Sequence, residues 1–240
     1  MLPKNEPVIN DKSDKVKIWV YGPPFSGKTT FADTFPNPLM LNTDGNTKFV
    51  KAPRLRVRDQ VTTTGRLVNK KLAWVYFKEL IDELEKKDND FETIVLDLYE
   101  DYYQFCRIYV WDREKVTHES DAPFKMWDMV TTEFLNEITR LLTLDYNIVL
   151  LSHQDLSRDI TKMSGSNITQ IKPNLRDKVA IKTSGMVDLV GRIEVDEKGG
   201  RKLQFKQDAV TFGGYRLPVF VPETELSYEA IVELYNMKGA

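Results

Sequence analysis

The stretch "VKIWVYGPPFSGKTTFA", residues 16–32, restricts the fold more than any other part of the chain. It opens with β-branched and aromatic residues, passes through Gly22-Pro-Pro-Phe-Ser-Gly-Lys-Thr29, and continues in residues that suit a helix. Gly22–Thr29 has the spacing G-x-x-x-x-G-K-[ST], and the chemistry of a bound triphosphate explains each part of it. Glycines permit a tight loop whose backbone N–H groups face inward at clustered negative charge. The helix that follows offers its N-terminus, with free N–H groups and the positive end of its dipole. Lys28 reaches the terminal phosphates, and the Thr29 hydroxyl enters a magnesium shell. A Gly/Pro-rich surface turn is the plainer reading of the same letters, and the strand-before, helix-after context argues against it. The residues expected to hold ATP are Gly22, Pro23, Pro24, Phe25, Ser26, Gly27, Lys28, Thr29 and Thr30.

A Mg²⁺ site needs an acid beside that threonine. "TIVLD" is an apolar run ending in Asp97, and a carboxylate at the end of a buried strand needs a cation or donors to be tolerated. Thr29 and Asp97 are therefore the expected magnesium pair. "LMLNTDG" is a second short strand ending at Asp44, and "NIVLLSHQ" a third ending at His153 and Gln154. The residue after Asp97 is Leu98, so a hydrolytic base would come from elsewhere. Asp44 is the first candidate and Glu100 the next.

Apolar strand patterns alternate with helical spacing through the first 150 residues, as in "KLAWVYFKELIDELEKK" and "MWDMVTTEFLNEITRLLTL". This predicts βαβ units and an α/β fold with a mostly parallel central sheet flanked by helices. Residues 1–14 read as a flexible arm, 15–185 as the core, and 186–240 as a small β-rich extension of the same domain. "VTTTGRLVN" and the polar stretch 155–183 read as loops.

The 240 residues are 41% hydrophobic, with one cysteine, two histidines and a net charge of −2. Cys106 allows no internal disulfide, and the three residues together lack metal-finger spacing. No apolar run reaches the roughly 18 residues that span a bilayer. These features suit a cytoplasmic protein with no membrane partner. Charge is unevenly spread. Residues 51–71 hold seven basic side chains against Asp59, and 156–182 hold six against two acids. Such stretches suit a polyanion, or simply solvate a surface.

In "GPPFSGKTTFA", "NTDGN", "TIVLDLYEDYY", "NIVLLSHQ" and "KPNLRDKVAIKTSGMVDLVGRI" the chain resembles RecA-like P-loop ATPases, and among them the small phage-encoded proteins grouped with single-strand annealing recombinases. The resemblance spans about residues 15–220. It implies a RecA-like fold in which strand 147–152 lies between strands 16–21 and 92–97. It implies an ATP- and Mg²⁺-dependent ATPase that binds single-stranded DNA in annealing or recombination. Lys28, Asp44, Asp97 and Gln154 would be its catalytic residues, with Asp44 orienting water and Gln154 sensing the γ-phosphate. Asp44 stands where that family usually has Glu. Arg158, Lys162, Lys172, Arg176 and Lys178 become candidate DNA contacts. Further implied partners are copies of the chain itself, in a ring or filament, and a single-strand binding protein, within a bacterial host's cytoplasm. A nucleotide-gated interaction module with little turnover and a small nucleotide kinase remain the other readings.

Overall fold

The computed structural model describes residues 15–118, 123–161, 167–208 and 210–237. The arm expected over 1–14 and Lys162 lie outside them. The main sheet is built from β1 (Lys17–Gly22), β2 (Pro38–Asn42), β3 (Arg54–Arg56), β6 (Thr93–Asp97), β7 (Asn147–Thr161), β9 (Leu189–Val195), β10 (Arg201–Gln204) and β12 (Glu223–Glu225). Their order is β12-β10-β9-β1-β7-β6-β2-β3. The run from β9 to β3 is parallel, and β10 and β12 add antiparallel strands at one edge. Strand 147–152 lies between β1 and β6, as the resemblance implied.

Alternation along each central strand decides which layer each residue feeds. Trp19, Tyr21, Ile94, Leu96, Ile148 and Leu150 face one side, while Ile18, Val20, Val95 and Val149 face the other. The first side is covered by α2 (Ala73–Glu85), α3 (Tyr99–Arg113), α4 (Phe124–Leu142) and α5 (Asp177–Ser184). The second packs against α1 (Lys28–Ala32) and α6 (Tyr228–Asn236). Every residue of β6 is buried, because a parallel strand covered on both faces has no solvent side. In α2 the buried positions are 73, 74, 77, 81 and 84, one stripe of a 3.6-residue period. The α4 stripe is Val130, Phe134, Ile138 and Leu141. Phe134 is an aromatic hub, with ring centroids 5.2–5.8 Å from Tyr103, Tyr99 and Trp74.

Two expectations of loop are corrected. "VTTTGRLVN" is an antiparallel hairpin of β4 (Gln60–Thr64) and β5 (Leu67–Lys71), turning at Gly65 with φ 63°. Residues 61–70 are all exposed, so backbone pairing holds the hairpin and no apolar face announces it. The described residues within 155–183 include the outer part of β7, the strand β8 (Asn167–Pro173) that pairs back on it, and α5. Here too the pairing is between polar strands, where hydrophobic alternation gives no signal. Short strand β11 (Gly214–Tyr215) joins the outer side of β9.

Candidate functional site

The parallel strands end along one carboxyl edge. Register sets Gly22 beside His153 and Asn42 beside Asp97. Ligands of open α/β sheets bind at such edges. Leaving β1, the chain turns through the loop 22–27 into α1. Gly27 holds φ 93°, a left-handed conformation that side-chain-bearing residues rarely adopt. Lys28 is 7% exposed, and its Nζ donates to the carbonyls of Gly22 at 3.0 Å and Pro23 at 2.9 Å. Its ammonium is thus already folded into the mouth of the loop. Burial holds its pKa below the ordinary lysine value, against the neighbouring charges of Asp97, Glu100 and Asp44.

Thr29 Oγ1 donates to Asp97 Oδ2 at 3.0 Å, so the two expected magnesium ligands are in contact. Burial pushes the Asp97 carboxyl up to about 6, with the Asp44 charge adding to the rise and Thr29 and Lys28 opposing it. Ser26 Oγ is buried with no hydrogen-bond partner inside the loop. A hydroxyl left unpaired here, a buried ammonium and a carboxylate against a threonine together form the donor set that a magnesium–phosphate group requires. Pro24, Phe25 and Thr30 are exposed, Phe25 at 97%, and Pro23 is half-buried.

The family described as an AAA domain matches the chain over residues 14–217. The chain belongs to that family. It is a nucleotide-binding P-loop NTPase of the AAA type. No curated protein matches it.

Around the loop, the AAA domain fixes the neighbouring strand ends with a polar lattice. Thr43 ties β2 to the start of α3: its N–H donates to Asp97 O at 2.7 Å and its hydroxyl to Asp101 Oδ2 at 2.5 Å. Asp44, expected to orient water, is exposed but well engaged. Its Oδ1 accepts from Asn42 Nδ2 at 2.9 Å and Asn46 N at 2.8 Å, and its Oδ2 accepts from Asn46 Nδ2 at 2.7 Å. Burial would raise its pKa, yet these hydrogen bonds hold it below the ordinary carboxylate value. Glu100, in the first turn of α3, accepts from the His153 N–H at 2.9 Å and faces His153 Nδ1 at 3.0 Å. That contact raises the His153 pKa. Gln154 Oε1 accepts from Arg192 Nε at 2.8 Å, so half-buried Arg192 braces Gln154, and its Nη1 also lies 4.0 Å from Glu194 Oε1.

Sequence reasoning did not reach Arg201 of β10. Its guanidinium lies against Gly27 and donates to Phe25 O at 3.4 Å, so the C-terminal strands touch the phosphate loop. No local pattern marks it, since the contact exists only through the β9–β10 pairing. The expected DNA cations divide. Lys172 is buried at 2% exposure and paired with Asp177, so it is a structural cation. Lys178 is exposed and pairs with Asp128 at 2.5 Å. Arg176 is exposed, its guanidinium 3.9 Å from the Trp127 ring centroid. Arg158 stands in β7 opposite Gln170. In the other basic stretch Arg58 and Arg66 are exposed, while Lys70 and Lys71 pair with Asp59 and Glu79. No helix among the described residues is long and apolar enough to cross a membrane.

Proposed function

We propose that this AAA domain is a RecA-like ATPase that binds Mg-ATP and single-stranded DNA and acts in strand annealing or recombination, as a ring or filament. One observation carries the reading. Strand β7 passes between the two strands that hold the phosphate loop and Asp97, presents His153 and Gln154 at the nucleotide edge, and runs on into the polar β7–β8 ribbon that carries Arg158. Nucleotide edge and ribbon are one strand, which is the arrangement a nucleotide-gated DNA contact needs. With Lys172 of β8 and Lys178 of α5 each paired to an aspartate, the DNA-binding weight shifts to Arg158, Arg176 and the arginines of the β3–β5 region.

The chemistry follows from the residues present. Backbone N–H groups of residues 25–28 would cradle the phosphates, Pro23 and Pro24 having none to offer, and Lys28 would leave the Gly22 and Pro23 carbonyls to neutralise charge building on the terminal phosphoryl group. Mg²⁺ held by Thr29 and Asp97 would supply further charge neutralisation there. Asp44, fixed by Asn42 and Asn46, would accept a hydrogen bond from the attacking water and orient it in line. Gln154, braced by Arg192, would register the terminal phosphate.

Turnover measured with and without single-stranded oligonucleotide tests the reading. Lys28→Ala is expected to abolish nucleotide binding or turnover. Asp44→Asn is expected to spare binding and lower turnover at least tenfold, since one oriented hydrogen bond is lost. DNA-independent turnover in the wild type would remove the recombinase reading. A second reading, a nucleotide-gated interaction module with little hydrolysis, is favoured by the hydrogen bonds already filling Asp44. It predicts nucleotide binding with turnover near background.

A further inference from the structure

Binding a single strand takes flat side chains for the bases as well as cations for the phosphates. The stretch 155–183 holds no Trp, Phe or Tyr, so flat groups have to come from another element. Arg176 is where this stretch meets them. Its guanidinium lies over the Trp127 ring, 3.9 Å from the centroid. Trp127 in turn meets Trp111 edge to face, with centroids 5.9 Å apart and planes at 71°. The Arg107 guanidinium closes the row over Trp111, 4.9 Å from its centroid. Two indoles from α4 and α3 thus stand between two guanidinium groups.

Burial separates the outer half of this row from the core. Trp111 is half-buried and backs onto the core layer on the α3 side of the sheet. Trp127 is half-buried too, yet it joins neither core cluster; its ring meets Trp111 and Arg176. A tryptophan outside the core adds little to packing, and what this one does is hold a guanidinium plane at the surface. Arg176 is exposed, so with one face on Trp127 its other face is open. Among the described residues neither Arg107 nor Arg176 forms an ion pair with a carboxylate. Asp128, next to Trp127 in the chain, is paired with Lys178. A guanidinium in this state has its edge donors left for a phosphate and its plane left for a base. The row is also tied to the nucleotide edge: Asn174, two residues before Arg176, donates its N–H to His153 O at 2.8 Å.

We propose that this row is a stacking platform for single-stranded DNA. One unstacked base lies on the outer face of the Arg176 guanidinium, and the edge of that group donates to the flanking phosphodiester. Trp127 is a positioning residue that holds the plane flat, and Trp111 and Arg107 back it from behind. The inference rests on the DNA-binding reading above and adds where a base sits.

The test compares a mixed-sequence oligonucleotide with an abasic one of equal length, which keeps the phosphates and lacks the bases. The wild type is expected to favour the intact strand by about tenfold or more, the effect of one stacked base. Arg176→Lys keeps the charge and loses the plane, so this preference should fall about tenfold while the slope of log affinity against log salt stays the same. Trp127→Ala should lower the preference several-fold, and Trp127→Phe, which returns a ring, should restore part of it. Arg176 is exposed, so Arg176→Lys carries the test if the Trp127 variants do not fold. A preference that survives in Arg176→Lys, or a wild type that binds both strands alike, would overturn the platform and leave the DNA reading standing. No binding of either strand by the wild type would overturn the DNA reading and the platform with it.

Discussion

Asp97 shows how one buried carboxyl can tie stability, metal affinity and pH together. In an unfolded chain an aspartate titrates near 4. In the fold burial raises this to about 6. The folded state therefore holds the proton more tightly, and ionisation costs stability. That cost is absent below the unfolded pKa, grows between about pH 4 and 6, and is complete above it. Two units correspond to about 3 kcal/mol. Urea titrations of the nucleotide-free protein should show the wild type gaining on Asp97→Asn as pH falls from about 7 to about 4. Magnesium requires the ionised form, so Mg-nucleotide affinity should fall as pH drops through about 6, whereas Asp97→Asn binds weakly at every pH. A wild-type affinity that does not vary across that range would remove Asp97 from the metal site. Gly27, at φ 93°, is the other residue-scale constraint. Gly27→Ala forces a strained backbone in the loop and should weaken nucleotide binding more than it lowers the melting temperature.

At the scale of elements, burial sets what each change costs. Phe134 of α4 is fully buried among three aromatic rings, and Phe134→Ala should cost about 3–5 kcal/mol in a urea titration. The β4–β5 hairpin lies at the opposite extreme. Replacing residues 61–70 by a short Gly/Ser connection removes no buried side chain, so the melting temperature should move by only a few degrees. The same contrast explains what could be read in advance. Strands such as "TIVLD" and helices such as "AWVYFKELIDELE" carry their burial in their letters, as continuous apolar runs or a helical stripe. The two polar hairpins do not, because their stability lies in backbone pairing that any sequence can supply. The site divides in the same way. Gly22–Thr29 is a local motif, and Asp97 ends a readable strand. Trp127 meets Arg176 only because α4 and the start of α5 converge in the fold. Glu100 was visible only as a spare acid, since carboxylates are ordinary in a helix's first turn.

Across the whole molecule, a net charge of −2 leaves polyanion binding to local patches. Arg58 and Arg66 lie on and beside the outer hairpin, and Arg158 lies on the ribbon. If these three each meet a phosphate, changing all of them to Ala should lower the slope of log affinity against log salt by about 2 for single-stranded DNA. An unchanged slope would move the contact to another face. The position of β7 gives this patchwork a mechanical meaning. The strand is clamped on both sides in the middle of the sheet and then projects beyond it as half of a ribbon. A register shift between Asp155 and Arg158 marks where its two halves join. A load on the outer end of the ribbon would therefore be passed along the backbone to His153, on the strand that separates the phosphate loop from Asp97.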